Sequence, residues 1–333
     1  MIAEGASVAV KVHMGELGNL TYLRPVFVRK VVDMVKTAGG KPFVTDTTTL
    51  YQNKRFTARN YLETAAYNGF SPETLKAPIV IADGEEGYSG FKIKVERTVN
   101  GCGLKEMEVA SGFSKADAMI VLSHVKGHNL SGLGGALKNV AMGCVTKKGK
   151  AAQHSVHIPQ LDESKCDGCG VCVKVCVFNA LRLEGGKPVR NLKKCMACSL
   201  CLFECPKKAY YWSRGSKEVF QTYLAHSAYA VLSTFKEGRV GFLNFVQDVT
   251  PLCDCCTPSG QVVVGNMGIL ASKDPVAIDK ASLDLIDKSP PIGHLTVTPP
   301  DFLGKINETS SLIHLEVAQK LGLGSLIYQL IDI

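Results

Sequence analysis

Two cysteine runs constrain this chain more than any other feature. "CDGCGVCVKVC" spans Cys166 to Cys176 and "CMACSLCLFECP" spans Cys195 to Pro206, and each sets four cysteines at offsets of three, three and four. Three cysteines within seven residues can turn around one metal core while the fourth points elsewhere. In paired runs of this kind the fourth cysteine of each run ligates the other cluster. The pattern therefore predicts one [4Fe–4S] cluster on Cys166, Cys169, Cys172 and Cys205, and a second on Cys195, Cys198, Cys201 and Cys176. Crossed ligation would tie the two runs together, so a segment too small for a sizeable core can still be ordered, with metal loading coupled to folding.

Other uses of these thiols fit less well. Structural zinc usually takes two close cysteine pairs separated by a longer stretch, and neither run has that form. Complete disulfide pairing is at odds with 13 cysteines, an odd number. The opening "MIAEGASVAVKV" lacks a basic segment followed by an apolar signal core, and no run approaches the roughly 18 apolar residues of a spanning helix. A cytoplasmic, reducing setting without a membrane span is therefore expected, and there clustered thiolates survive as metal ligands. The formal charge of +8 counts every cysteine as neutral; two loaded clusters would lower it to about +4, because ligating thiols are deprotonated.

Residues 166–206 resemble a bacterial two-cluster ferredoxin domain, including Pro206 directly after Cys205. Val177 stands where that family commonly has proline, a departure that leaves all eight ligands in place. The resemblance implies electron transfer, since two neighbouring one-electron centres form a relay.

The flanking sequence has a different rhythm. "SVAVKV" reads as a strand, "PVFVRKVVDMVKTAG" as a helix ending at Gly39, "KPFVTD" as a strand, "TARNYLETAAYNGF" as a helix, and "PIVIAD" and "ADAMIVLSHVKGH" as strands. The alternation breaks near Leu161 and returns near Gly215 with the helical "VFQTYLAHSAYAVLSTF" and the strand "RVGFLNFVQDV". The expected fold class is α/β: a mainly parallel sheet with helices on both faces, interrupted by a small α+β two-cluster ferredoxin-like domain. Residues 1–160 and 215–333 are then two parts of one α/β domain and residues 161–214 the insert, because insertions succeed at loop tips. Two α/β units flanking the insert are the alternative. The C-terminal "LIHLEVAQKLGLGSLIYQLIDI" is apolar enough to be expected to dock.

Sheets of this kind bind ligands in the loops beyond the carboxyl ends of their strands. "SHVKGHNLSGLGGALKNVAMGC" follows one such strand and supplies His124, His128 and Lys138 as catalytic or ligand-binding candidates. Its glycines, Gly132, Gly134 and Gly135, could form a turn whose following helix start cradles an anion, although neither the phosphate-loop nor the dinucleotide pattern is complete. A purely structural glycine turn is the simpler reading. His154 and His157, just before the insert, are candidates to pass protons, since imidazole titrates near neutrality. "CDCC" offers Cys253, Cys255 and Cys256 as a candidate third metal or redox site, weighed against a buried inert thiol cluster. Asp46 and Asp83 sit where α/β sites recruit polar residues, Asp248 and Asp254 could orient ligands of a metal, and Asp274 reads as a helix cap with Asp279 on the opening turns. The charge run "KKGK", Lys147 to Lys150, reads as a solvated surface, as does the pair Lys207 and Lys208.

The pieces "SHVKGH", "SGLGGALKNVAMGC", "GKAAQHS", "CDCC" and "NMGILASKDPVAIDKAS" resemble the family called domain of unknown function 362, in its branch carrying a two-cluster ferredoxin insert. The resemblance implies one α/β scaffold spanning the insert, with Lys138, His124, His128 and the Cys253 region converging. The expected function is an iron–sulfur oxidoreductase. A redox partner protein such as a ferredoxin or reductase would charge two [4Fe–4S] clusters, which would serve a small anionic ligand or additional metal in the α/β loops. A non-enzymatic electron carrier or assembly component that docks partner proteins is the alternative. Nucleic-acid binding is disfavoured, because basic and aromatic residues interleave only in pieces such as "KKAYYWSRGSK".

Overall fold

In the first strand Val8, Val10 and Val12 face one way and Ala9 and Lys11 the other, and all five are buried. A strand covered on both sides has to lie inside a sheet with helices packed on each face. The computed structural model describes residues 2–293 and 295–333. Its principal elements in chain order are β1 (Ser7–Val12), α1 (Pro25–Thr37), β2 (Lys41–Asp46), α2 (Ala58–Tyr67), β3 (Ile79–Ile81), β4 (Ala118–His124), α3 (Ala136–Gly143), α4 (Lys147–His154), α5 (Ser216–Leu232), β5 (Val240–Val246), β6 (Gly268–Ser272), α6 (Pro275–Lys288) and α7 (Ile313–Lys320).

The fold is mixed α/β, built on one mostly parallel six-stranded sheet in the order β6-β5-β4-β1-β2-β3, with β6 alone antiparallel to its neighbour. Valines 28, 31, 32 and 35 of α1 recur at helical spacing and cover Val8, Val10 and Val12. On the opposite face Leu137 and Val140 of α3, Phe220 and Leu224 of α5 and Leu315 of α7 pack over Ala9, Met119 and Val121. Helices therefore lie on both faces.

Strands β4 and β5 are neighbours in the sheet, with Phe245 registered against His124, although the cysteine runs lie between them in sequence. That intervening segment adds nothing to the central sheet. Gln160–Leu161 pairs antiparallel with Tyr210–Tyr211, so the chain leaves and re-enters at one place. Between them lie one hairpin, Leu181–Glu184 with Lys187–Arg190, and two four-residue helices, Val171–Lys174 and Leu200–Phe203.

Three local expectations are corrected. "KKGK" is not a solvated run: Thr146 caps α4 by accepting from the Gly149 N–H, and the inward face of the helix then carries Lys147 and Lys150, which are 0% and 8% exposed. The Lys147 ammonium lies 3.4 Å from the centre of the Phe56 ring. At the C-terminus α7 docks through Leu315, Val317 and Ala318, but Ile327, Leu330 and Ile331 are exposed.

The glycine-rich loop is the third case. Lys126–His128 and Gly132–Gly134 form a small antiparallel hairpin, and the N–H donors at the start of α3 are already occupied by the chain itself. The Asp279 carboxylate, from α6, accepts from Ala136 N at 2.6 Å and Leu137 N at 2.9 Å. A Cβ on Gly135 would lie 2.2 Å from Asp279 Oδ1, so glycine is what admits the carboxylate. Asn244 Nδ2 donates to the same oxygen at 2.8 Å. The loop is thus the structural turn that was the simpler reading, and in place of the alternative anion cradle there is an internal clamp holding α3 to α6.

Burial raises the Asp279 pKa to about 6 against the opposing pull of these donors. The unfolded value is about 3.9, so the native chain holds the extra proton in between, and stability from this group present at low pH is lost as pH rises through about 6. Chemical denaturation should show the stability of the wild-type chain falling by about 3 kcal/mol relative to Asp279→Asn between pH 4 and 7. Parallel pH profiles would refute this titration.

Candidate functional site

The two cysteine runs fold into the same backbone twice. Gly168 and Ala197, Gly170 and Ser199, and Asn179 and Lys208 are equivalent positions in the two runs, and all six have positive φ. Ala197 (φ 53°) and Ser199 (φ 63°) adopt this conformation without being glycine, which is costly for L-residues and occurs where surrounding structure imposes it. After each run a backbone N–H donates to the fourth cysteine: Ala180 N to Cys176 Sγ at 3.3 Å and Ala209 N to Cys205 Sγ at 3.4 Å. The turn is therefore the same in both runs despite Val177.

Each repeat opens onto its own cavity. Cys166, Cys169, Cys172 and Cys205 line one, which encloses about 320 Å³ of atom-free space including its mouth. Cys195, Cys198, Cys201 and Cys176 line the other, of about 360 Å³. Arg190 Nη2 donates to Cys201 Sγ at 3.4 Å. Four thiols around one space are a donor set for a soft metal or a metal–sulfide core. Among the described residues, no three His, Cys, Asp or Glu side chains converge closely enough to hold a single metal ion.

A much larger cavity, about 1470 Å³ of atom-free space including its mouth, lies beyond the carboxyl ends of β1, β2 and β4. Lys11 and His13 reach it from β1, Asp46 and Thr47 to Thr49 from β2, and Lys126 and His128 from the segment after β4. Lys138 and Asn139 of α3, Lys150 and His154 of α4, and Cys253, Cys255 and Cys256 complete much of its wall. Ala197, Cys198, Ser199 and Leu200 line both this cavity and the second cysteine cradle.

The floor is built from buried charge. Lys11 Nζ lies 3.0 Å from Asp46 Oδ1 and donates to Asn139 Oδ1 at 2.5 Å. Burial alone would raise the Asp46 pKa, but Lys11 and His13 outweigh it and hold the carboxyl below its usual range. Arg55 pairs with Glu16 at 3.0 Å. Asp254 is fully buried and meets His124 Nδ1 at 2.7 Å and Lys126 Nζ at 2.9 Å; those two partners overcome burial and keep its pKa far below the ordinary value.

Two other cations make no carboxylate ion pair among the described residues. Lys150 donates to Thr47 Oγ1 and the Val145 carbonyl, both at 2.7 Å. Burial lowers its pKa to about 8, despite the attraction of Asp83 and Asp46. Lys138 Nζ lies 3.1 Å from Cys253 Sγ; burial opposes its charge, but Cys253 and Cys255 raise its pKa above the ordinary value.

The sequence candidates divide accordingly. His128 and Lys138 line the large cavity, together with Cys253, Cys255 and Cys256; His124 does not. His124 Nε2 faces the Gln247 carbonyl at 2.9 Å while Nδ1 faces Asp254, so both ring nitrogens are engaged in holding the wall. His128 Nδ1 accepts from Leu130 N and Ser131 N, and burial, reinforced by Lys138, lowers its pKa well below the usual value. A neutral ring accepting at Nδ1 carries its proton on Nε2. His154 and His157 also line the cavity, but burial pushes their pKa values to about 3 and about 4, away from neutrality.

Asp83 is buried elsewhere and accepts from Thr48 N and Oγ1, whereas Asp274 caps α6 through Val276 N and Ala277 N. Asp248 accepts from Arg24. Sequence reasoning missed Lys11, His13, Arg55, Lys126 and Lys150. For His13 the usable signal was its place directly after a parallel strand; for Lys150 it was Thr146 as a helix cap.

Fold and cavity together define an α/β protein with a cavity bordered by buried charged side chains at the carboxyl edge of a mostly parallel sheet. The chain belongs to the family described as domain of unknown function (DUF362), whose model matches residues 8–284. No curated protein matches it. Among solved structures it is similar to the lactate racemase apoprotein from Thermoanaerobacterium thermosaccharolyticum, at 12% identity and a TM-score of 0.37, over 74% of this chain and 44% of that one. The chain thus spans less than half the length of that protein. No helix among the described residues is long and apolar enough to cross a membrane.

Asp254→Ala would leave Lys126 and His124 buried without their carboxylate. The expected loss is about 3–5 kcal/mol, measured by denaturant unfolding; a loss below about 1 kcal/mol would show that the cavity floor does not depend on this cluster.

Proposed function

We propose that this chain is an iron–sulfur electron-transfer protein, an oxidoreductase that delivers electrons through two [4Fe–4S] clusters to a small anionic ligand in the large cavity. Cys166, Cys169, Cys172 and Cys205 would hold one cluster and Cys195, Cys198, Cys201 and Cys176 the other. The observation that carries this reading is the shared wall: residues 197–200 border both the second thiol cradle and the ligand cavity. The bound clusters would supply one-electron transfer, with a potential set partly by N–H donors to sulfur. The four-thiol donor sets, the repeated left-handed turns and the N–H bonds to Cys176 and Cys205 fit such cores.

The chain's own residues would do the remaining work. Lys138 keeps its charge beside the thiols and would neutralise an anionic group. Lys150, with a pKa lowered to about 8, can hold or release a proton near neutrality at Nζ. His128 would donate through Nε2 without changing charge. Because Lys11, Arg55 and Lys126 are each paired with a carboxylate, Lys138 and Lys150 are the cations left for a ligand. A carrier that only docks partner proteins needs no such cavity, so the enzyme reading is preferred. An external ferredoxin or reductase would be the electron donor, in a cytoplasmic setting.

Anaerobically purified chain should contain about eight iron and eight acid-labile sulfide atoms, and Cys198→Ala should lose about half of each. Folded chain carrying zinc without iron or sulfide would end this account. Inorganic phosphate or small mono- and dicarboxylates at millimolar concentration should raise the unfolding temperature, and Lys138→Met with Lys150→Met should abolish the rise. No shift with any of these anions would remove the ligand assignment.

A further inference from the structure

Five cysteines lie outside the two runs, and their surroundings separate them. Cys102 and Cys144 are buried among apolar side chains, and burial raises the Cys144 pKa to about 12. They behave as small hydrophobes. Cys253, Cys255 and Cys256 instead line the large cavity, on the same wall system as Cys198. Within this trio Cys255 interacts with both of its neighbours, and those interactions help to shift the pKa values of all three thiols. They do not converge as three ligands around one point. Contact with Cys255 and burial raise the Cys253 pKa and keep the resting thiol protonated, while Lys138 Nζ, 3.1 Å from Cys253 Sγ, opposes that shift.

We propose that Cys253 and Cys255 form a redox-active dithiol in the cavity wall. It closes to a disulfide by giving two electrons and two protons to a two-electron acceptor bound in the cavity. It reopens when a one-electron donor of the ferredoxin class supplies two electrons in succession and each sulfur takes up one proton, breaking the S–S bond. This step rests on the electron-transfer reading above and adds the device that converts single electrons into pairs.

Geometry selects the pair. Adjacent Cα atoms across a trans peptide are about 3.8 Å apart, short of the roughly 4.4–6.8 Å usual for a disulfide. Cys255 and Cys256 are therefore poorly placed to bridge, whereas Cys253 and Cys255 have one residue between them. That residue is Asp254, which His124 and Lys126 hold at 2.7 and 2.9 Å. Cys256 remains as a neighbouring thiol.

The test uses anaerobic full-length chain, assayed for iron and sulfide, in buffers poised by reduced and oxidised dithiothreitol. Acid quenching, alkylation and peptide mass spectrometry then map residues 253–256. The expected result is a Cys253–Cys255 disulfide that appears with a two-electron dependence on the buffer ratio, with Cys256 and Cys144 alkylated throughout. Cys253→Ser and Cys255→Ser should each abolish it, and Cys256→Ser should leave it intact; the wild-type map alone decides the matter should a variant fail to fold. Three alkylated thiols at every ratio, a bridge that requires Cys256, or a metal ion retained only when Cys253 is present would each overturn the proposal. Chain without iron and sulfide but with the bridge would defeat the cluster reading alone; clusters without the bridge would defeat the dithiol alone.

Discussion

The pairing of β4 with β5 is the constraint on which the rest of the molecule depends. It joins strands separated by the whole cysteine-rich segment, and in its register Asn244 stands opposite Ser123 and Phe245 opposite His124. A one-residue slip would turn every side chain of β5 to the other face. Asn244 would then leave Asp279, and the clamp between α3 and α6 would open. The same pairing sets where β5 ends, and so where the chain enters the loop carrying Cys253. The cavity is thus a consequence of strand order: parallel neighbours deliver His13, Asp46 and Lys126 to one edge, and the return of the chain from the cysteine-rich segment through β5 delivers the thiols.

Buried charge at that edge needs the sheet in return. Removing one member of a buried ion pair leaves the other without compensation, so Lys11 with Asp46, Arg55 with Glu16 and Lys126 with Asp254 must form together with the strands that carry them. Lys11 and Asp46 belong to adjacent strands, while Asp254 crosses from the loop after β5 to the segment after β4. These pairs balance most of the charge at the cavity edge, and Lys138 and Lys150 line it without a carboxylate ion pair among the described residues.

What could be read from the sequence was what is local. The valine stripe of α1, Asp274 as a cap and five of the six strands of the sheet are short-range patterns, and their element assignments match the structure; β6 was read as a loop. The glycine-rich loop was rightly read first as a structural turn, but its partner could not be foreseen, because the carboxylate at α3 comes from Asp279, far along the chain, and spacing carries no information about such a partner. Lys147 and Lys150 were read as solvated because charge runs usually are; helix phase from Thr146 turned them inward. Lys11 looked like one polar residue in an apolar strand, and its carboxylate partner becomes visible only once β1 and β2 are paired. The left-handed backbone at Ala197 and Ser199 had no signal in residue type, only in their equivalence to Gly168 and Gly170.

The attachment of the cysteine-rich segment explains how a thiol cradle can share a wall with a distant sheet edge. His157 stacks on Trp212 with ring centroids 4.7 Å apart, and Phe203 meets the same indole edge-on at 5.8 Å. His157 Nδ1 is hydrogen-bonded to Ser216 Oγ at 2.7 Å, which ties the stack to the first turn of α5. His154 packs on Phe220 of the same helix. Burial keeps both imidazoles neutral at ordinary pH, so both serve as flat packing surfaces, with His157 anchored through Nδ1. Phe203 closes the short helix Leu200–Phe203 that begins beside Cys198, and the aromatic stack therefore transmits the position of α5 directly to the second cradle. A segment joined to the body by two strand ends alone could swing; one pinned by this stack holds residues 197–200 against the cavity.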